Sequence, residues 1–450
     1  MTGHRRESSA RTDRAGLHTD LYELRMVDSY LQRGMTAPAT FSLFIRPAAA
    51  RPWYVALGVH RLLELLDTFR FGPTEIAYLR TLGFGEPTLS WLAAFEPRGE
   101  VWAVPDGTVV LAQEPIVEIT APLPVAQLLE TAAINLVQYP TAVATKAARC
   151  ALAAQGRRLA DFGLRRAHGL ETGAEAAMAA FVGGGFATSN VEAGRRWRIP
   201  VTGTMAHSYI QAFTDEQDAF RAFAADHPDH STLLVDTYDT VEGVSRAVDA
   251  TEQLRARGQH LHGVRLDSGD LGDLARQARK VLDDAGLHDT EIVASGGLDE
   301  YRIHELVAQA APIDAFGIGS ALTTSSDHPA LDIVYKLVAY DQRPVAKFSG
   351  LKSTLPGRKQ VFRTNDDPAD DVLSVRDADE TGEPLLAPVW RDGQAVRAFD
   401  LTETRDRTAS QLNALPTDWQ RPPYLDDAPL PRLGTDLEWL NQQVRRAAFE

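Results

Sequence analysis

The sequence predicts an α/β protein, an irregular (β/α) barrel joined to a smaller α+β unit, on three observations. Beyond about residue 136, short apolar segments that end in polar residues or glycine alternate with helical patterns, and repeated β-α units imply a parallel sheet with right-handed crossovers. Before that point, β-branched runs flank the tripeptide Pro105-Asp106-Gly107, the signature of a turn between antiparallel strands. Glycine pairs follow the last two expected parallel strands, where a barrel of this kind binds phosphate.

Residues 1–16 carry Arg5, Arg6, Arg11 and Arg14 among Ser, Thr and Gly and lack the apolar core of a secretory signal, so they read as a disordered leader. The α+β unit is expected over 17–135. Its first helix spans Thr19 to Met35, with Leu21, Leu24, Val27, Tyr30 and Leu31 at helical spacing. Strands are expected at Thr40–Ile45 and Trp53–Leu57, a helix at His60–Phe69, a hairpin over Glu100–Leu111, a strand at Ile116–Thr120 and a helical stretch from Val125 to Ala154.

The barrel is expected over 136–345. Its seven strand ends are Leu159–Asp161, Phe186–Thr188, Val201–Gly203, Leu233–Asp236, Val264–Asp267, Ile292–Ser295 and Ala315–Gly319. Helices are expected between them at Ala174–Phe181, Ser208–Ala224, Val241–Arg257, Leu271–Ala285 and Asp299–Gln309. Seven such strands favour closure into a TIM-like barrel, with functional groups at the C-terminal strand ends. Residues 346–450 are expected to pack back on the first unit, after a strand at Val345–Phe348 and a basic run through Lys347, Lys352, Arg358, Lys359 and Arg363. A last helix falls near Leu437–Ala448.

Composition narrows the function. The 450 residues carry 46 Lys and Arg against 61 Asp and Glu, a net charge of −15, which argues against wholesale binding of nucleic acid or an anionic membrane. An anion site must therefore be local. Cys150 is the single cysteine, so there is neither a disulfide nor a thiolate zinc site, and a reducing cytoplasm fits. No apolar run reaches membrane-spanning length.

The chemistry gathers at the expected strand ends. His207 lies where the strand at Val201 turns through Gly203-Thr204 into a helix. Unpaired N–H groups at such a turn favour an anion, and an imidazole there can accept or relay a phosphoryl group. The alternative is that Thr204 and Ser208 satisfy the helix start while His207 packs. Gly296-Gly297 and Gly317-Ile-Gly319-Ser320 follow late strands, so their backbone can approach a phosphate closely. Arg265, inside an apolar strand, offers a planar fork for a carboxylate, or a salt bridge to Asp236 or Asp267. Arg165 and Arg166 read as phosphate ligands or a solvated turn. Ser268 and Asp270 read as caps of the helix at Leu271.

Taken together, Thr19-Asp-Leu-Tyr-Glu-Leu24, Asp161-Phe-Gly-Leu-Arg-Arg-Ala-His168, Thr188-Ser-Asn190, Gly203-Thr-Met-Ala-His-Ser208, Gly263-Val-Arg-Leu-Asp-Ser-Gly-Asp-Leu271 and Gly317-Ile-Gly-Ser320 resemble the nicotinate phosphoribosyltransferase family. The resemblance covers about residues 17 to 363. It implies condensation of nicotinate with phosphoribosyl pyrophosphate to nicotinate mononucleotide, a step of NAD salvage. It also implies coupling to ATP hydrolysis through a phosphohistidine, assistance by Mg²⁺, and a homodimer with shared sites.

By the same resemblance His207 would be the phosphohistidine and Asp267 a second catalytic group. Tyr22, Thr204, Arg265 and Ser189 would hold nicotinate, with Tyr22 contributed by the neighbouring subunit; the alternative for Tyr22 is a core tyrosine on an amphipathic helix. Ser320, Arg165, Arg166, His168, Asp236, Gly296, Gly297 and Gly319 would hold the phosphoribosyl and phosphate groups. The Mg²⁺ ligands are left unassigned. The nicotinamide-using relative places an aspartate where Ser189 stands here, which favours the acid as substrate. A quinolinate-using enzyme would need more cations for a second carboxylate. A non-catalytic pyridine-nucleotide sensor is the reading from another class, and an aldolase-like barrel lacks its strand lysine.

Overall fold

The structure, a computed structural model, describes residues 15–255, 258–391, 393–396 and 398–450. Residues 1–14 of the expected leader lie outside the described residues. Two sheets set the architecture, and the helix Glu130–Ala154 joins them. That helix is buried along most of its length, Pro140 included, and it runs across the expected 135/136 boundary.

The first sheet is antiparallel and seven-stranded. Its centre is Pro38–Ile45, paired with Pro115–Pro122 on one side and Ile333–Tyr340 on the other. The segment Ala387–Arg391 extends it by pairing with Glu100–Ala103. Chain from beyond residue 330 thus completes a sheet begun near the N-terminus. Phe41, Leu43, Val117, Ile119 and Tyr335 fill its buried face, with Phe41 and Tyr335 stacked at 4.7 Å between ring centroids.

Two local expectations fail here. Glu100–Ala103 and Thr108–Val110 do not form a hairpin, since the second pairs with Tyr54–Ala56 in a separate sheet. The Pro-Asp-Gly turn between them serves another purpose. The Asp106 carboxylate accepts the backbone N–H groups of Gly58, Val59 and His60 at 2.8–3.0 Å, capping the helix Val59–Thr68 from a distance. The expected strand at Val345–Phe348 is also absent, the pairing there being limited to Arg343–Pro344. Beyond Pro344 one more bond forms, from the Val345 N–H to the Val338 carbonyl at 2.9 Å, and the ladder goes no further.

The second sheet is parallel, with spatial order Ala187–Thr188, Arg158–Asp161, Ala315–Ile318, Glu291–Ser295, Gly263–Leu266 and Thr232–Leu234. It is a curled half-barrel, and closure into a TIM-like barrel is not observed. The expected seventh strand, at Val201–Gly203, contributes one parallel bridge from Val201 to Thr188. Pro200 lacks an N–H, and Gly203 stands in open space, so the extended run stops before it can reach Thr232–Leu234. The expected helix Ser208–Ala224 is likewise broken into His207–Gln211 and Glu216–Asp226, the latter capped by Asp215. The open seam this leaves, between Val201 and Thr232–Leu234, is where the functional candidates meet.

Candidate functional site

Arg265 organises the site. It points from the strand Gly263–Leu266 toward the open seam and is half-buried. Its Nε donates to Ser295 Oγ at 2.8 Å, Nη1 to Thr204 Oγ1 at 3.0 Å and to the Met205 carbonyl at 3.4 Å, and Nη2 to Asp267 Oδ1 at 2.8 Å. Its guanidinium also lies over the Phe162 ring, 5.5 Å from the centroid. Of the salt-bridge partners open at the sequence level, Asp267 is the one formed. Five N–H donors meet four acceptors, which leaves one Nη2 hydrogen uncommitted.

Asp267 is held as a carboxylate. Burial alone would raise its pKa, but hydrogen bonds from Ser295 at 2.5 Å and from Arg265, with the positive field of Arg265 and His207, keep it below the usual range. Its backbone N–H donates to Asp236 Oδ2 at 3.0 Å, and Ser268 Oγ donates to the same oxygen at 2.6 Å. Ser268 therefore positions Asp236 and does not cap. Asp270 does cap, accepting from the N–H groups of Gly272 and Asp273. The other oxygen, Asp236 Oδ1, is buried with no hydrogen-bond partner among the described residues.

His207 crosses the seam that the backbone leaves open. Its Nδ1 lies 3.1 Å from Thr237 Oγ1, so a side-chain hydrogen bond stands where a closed barrel would have a ladder. Neither Thr204 nor Ser208 caps the short helix that His207 begins; Thr204 is occupied by Arg265. The packing alternative for His207 thereby loses its premise.

The glycine turns lie beside this cluster. Gly296 and Gly297 have φ of +86° and +63°, left-handed values that suit glycine, and a Cβ on Gly296 would overlap the Asp267 carbonyl. A Cβ on Gly317 would overlap the Phe162 ring, while Gly319 packs near the Phe162 carbonyl and Ser320 opens the short helix Ser320–Thr323. Arg165 and Arg166 occupy the exposed turn Leu164–Arg166 just past the strand Arg158–Asp161. Their side chains and that of His168 make no hydrogen bond or ion pair among the described residues.

Ser189 is half-buried, and its N–H donates to the Asp161 carbonyl at 2.8 Å. The Asp161 carboxyl group, beside this turn, is buried. Burial pushes its pKa up, against hydrogen bonds from Thr188 Oγ1 and the Gly163 N–H. Tyr22 is not brought to this cluster within the chain. It is 47% exposed on the helix Leu21–Gln32, where its charged neighbours are Glu130, Glu23 and Asp20, so the core-tyrosine alternative does not hold. Thr237 is a site residue that sequence reasoning missed; Phe162 stands out in the sequence only as part of the Asp161–His168 motif, and Ser295 only for the backbone of its glycine turn, whereas here its hydroxyl joins Arg265 to Asp267.

No group of three or more His, Cys, Asp or Glu that could hold a metal occurs among the described residues. No helix among them is long and apolar enough to cross a membrane.

Comparisons with known proteins agree with this geometry. The family model described as the nicotinate phosphoribosyltransferase N-terminal domain matches residues 17–138, and that of the nicotinate phosphoribosyltransferase family matches 157–374. The chain is 44% identical over 406 residues to nicotinate phosphoribosyltransferase pncB2 of Mycobacterium tuberculosis, covering 89% of this chain and 87% of that one. It is 41% identical over 367 residues to nicotinate phosphoribosyltransferase of Bacillus subtilis, covering 79% and 74% respectively. The crystal structure of human nicotinic acid phosphoribosyltransferase superposes with a TM-score of 0.80 at 27% identity, over 95% of this chain and 99% of that one.

Proposed function

The chain belongs to the nicotinate phosphoribosyltransferase family, and from that premise we propose how its residues divide the work of joining nicotinate to phosphoribosyl pyrophosphate in NAD salvage. The observation that carries the reading is the Arg265 cluster, a half-buried guanidinium with one free N–H, fixed by Thr204, Ser295 and Asp267 at the mouth of the parallel sheet.

A pyridine carboxylate entering the seam meets that free N–H and the Thr204 hydroxyl, two donors on one side of the ring. Phe162, already under the guanidinium, offers an aromatic face. Held this way, the ring nitrogen points away from the arginine toward the sugar. The anomeric C–O bond to pyrophosphate breaks as the C–N bond forms, and the bonding electrons leave with the pyrophosphate oxygen. Developing positive charge on the sugar is met by the Asp267 carboxylate, and the phosphate groups by Gly296, Gly297, Gly319, Ser320 and the unpaired Arg165, Arg166 and His168.

Mg²⁺ fits the residues present in one respect. Asp236 Oδ1 is buried and unpartnered, and this ion is usually held by one or two carboxylates together with substrate phosphates rather than by a protein cage. Asp236, with Asp267, would hold it, and its charge would offset that of the leaving pyrophosphate.

His207 carries the ATP-coupled step. With Nδ1 engaged by Thr237, Nε2 is the nitrogen left to attack the γ-phosphorus of ATP, releasing ADP. Water later cleaves the P–N bond to return the imidazole and inorganic phosphate. Tyr22, exposed and remote from the cluster in its own chain, suits the ring-covering role from a second subunit of a homodimer. Nicotinamide is disfavoured because Ser189, standing where the nicotinamide-using relative has an aspartate, offers no carboxylate to receive its amide.

The test is product formation from phosphoribosyl pyrophosphate and Mg²⁺ with nicotinate, nicotinamide or quinolinate, each with and without ATP. Nicotinate mononucleotide formed with nicotinate alone, and faster with ATP, is expected. His207→Ala should lose the ATP stimulation and keep a slower ATP-independent transfer; full coupling in that variant would refute the assignment.

A further inference from the structure

Behind the glycine turns lies a charged network with no contact to the seam. Lys146 and Arg149, three residues apart on the helix Glu130–Ala154, face the same two carboxylates. Lys146 Nζ pairs with Glu300 Oε2 and lies 2.7 Å from Asp327 Oδ1. Arg149 Nε lies 3.0 Å from Glu300 Oε1 and its Nη1 3.6 Å from Asp327 Oδ2. Arg51, from the loop before Tyr54–Ala56, reaches Asp327 Oδ2 at 2.9 Å. The side chains of Lys146, Arg149, Arg51 and Glu300 are at most 2% exposed.

Cohesion does not account for such a network. Removing charges from water costs several kcal/mol per ion, and apolar side chains of similar volume often hold a fold as well or better. Its connections are more informative. Glu300 opens the helix Glu300–Ala308 directly after Gly296-Gly297-Leu298 and the Asp299 cap. Asp327 follows the helix Ser320–Thr323, which begins at Gly319-Ser320. The two phosphate turns, on adjacent parallel strands, are thus tied to one long helix and to a loop of the antiparallel sheet.

We propose that Lys146, Arg149 and Arg51 are positioning residues, which through Glu300 and Asp327 fix the Gly296-Gly297 and Gly319-Ser320 turns in one relative placement for a pyrophosphate-bearing substrate. The inference rests on the phosphoribosyltransferase reading for the identity of that substrate. It goes beyond it by giving the role to groups that touch no substrate.

The double variant Lys146→Met/Glu300→Gln tests it, because it removes one cation and one anion and leaves the net charge of the network unchanged. Binding of inorganic pyrophosphate with Mg²⁺ is measured by calorimetry, KM by steady-state assay and folding by thermal midpoint. The pyrophosphate Kd and the phosphoribosyl pyrophosphate KM should each rise about tenfold, within the loss that small misplacements cause. The nicotinate KM should stay within about twofold by the same argument, and Lys146→Arg should restore wild-type values. Unchanged pyrophosphate binding, or a midpoint that falls while Kd and both KM values hold, would make the network structural only and overturn the proposal. A parallel rise in both KM values would overturn it too. Wild-type protein that binds pyrophosphate but turns over no pyridine base would refute the functional reading, while the tenfold change in pyrophosphate Kd would still support the positioning role.

Discussion

Two arginine–aspartate pairs in this molecule use the same groups to opposite ends. Arg363 and Asp371 lie between the strands Lys359–Arg363 and Val372–Val375, with side chains 2% and 0% exposed. Arg363 is bidentate on Asp371 at 2.8 and 2.5 Å and donates also to Gln411 Oε1 and the Val109 carbonyl, which leaves one Nη1 hydrogen over. Arg265 and Asp267 are 12% and 30% exposed and joined by a single hydrogen bond, with one donor left over here too, on a guanidinium that solvent reaches. The first pair is closed on itself and can only hold the fold. The second is closed on one side, which fixes the guanidinium, and open on the other, which leaves it something to bind. With one hydrogen left over on each guanidinium, a charged pair reads as a site by whether solvent, and so a ligand, reaches it.

The comparison breaks first under alanine substitution of each arginine. Arg363→Ala leaves Asp371 buried without its counter-charge and should cost about 3–5 kcal/mol of stability in denaturant unfolding. Arg265→Ala should cost about 1 kcal/mol or less, since its pair is partly solvated. Its loss should appear as a raised KM for nicotinate. Equal stability losses would erase the distinction drawn here.

Glycine gives a second contrast. At Gly296, φ is +86° and a Cβ would overlap the Asp267 carbonyl, so Gly296→Ala adds a clash to a left-handed penalty of about 1–2 kcal/mol. Gly203, five residues past Arg198, has nothing within 4 Å of the equivalent position and no positive φ. Gly203→Ala should therefore change stability by no more than about 0.5 kcal/mol. Thermal midpoints of the two variants decide it.

Thr204→Val sharpens the picture on the open side. It removes the 3.0 Å acceptor of Arg265 Nη1 and one expected donor to substrate, while the partly exposed guanidinium can recruit water. About 1 kcal/mol, near fivefold in nicotinate KM, is the expected size, with stability nearly unchanged.

Much of this was legible in the sequence where the physics is local. Six of the seven expected parallel strand ends form strands, because each is a β-branched or apolar run cut by a polar or glycine residue. Arg265, Thr204, Asp267, Asp236 and His207 meet because each lies at such an end. What could not be read is what depends on distant partners. Pro105-Asp106-Gly107 looks like a hairpin turn until Asp106 is seen to cap a helix 46 residues earlier. Seven strands suggest closure until Pro200 and Gly203 limit one to a single bridge. The strand Ala387–Arg391 has its register set by the distant Glu100–Ala103 and by the short Gln394–Ala395, and the run from Asn365 to the last helix offers a sequence reading only Asp, Pro and turns. Phe162, Ser295 and Thr237 matter for what they touch.

The smallest expected effect is also the one whose sign separates the two regions. In the closed region Glu114 lies beside Asp371, and burial, then the Asp371 charge, push its carboxyl well above the ordinary range. A carboxyl with a raised folded-state pKa binds protons more readily folded than unfolded, so its contribution to stability grows as pH falls through that value and stops growing near the unfolded value of about 4. In the open region Asp267 is held below the ordinary range, its hydrogen bonds and the Arg265 charge outweighing burial. Its contribution is present above the unfolded value and is lost as pH falls through the lowered one. Denaturant unfolding from pH 7 to pH 3 should thus show a gentle gain on mild acidification, then a fall below about pH 4. Glu114→Gln, which keeps an acceptor for the Leu111 N–H and cannot titrate, should reduce the gain and leave the fall, the buried Asp161 carboxyl still adding to the gain. Asp267→Asn should reduce the fall and leave the gain. A gain undiminished by Glu114→Gln would mean that the closed network carries its charges without strain, and the contrast with the open pair would then rest on solvent exposure alone.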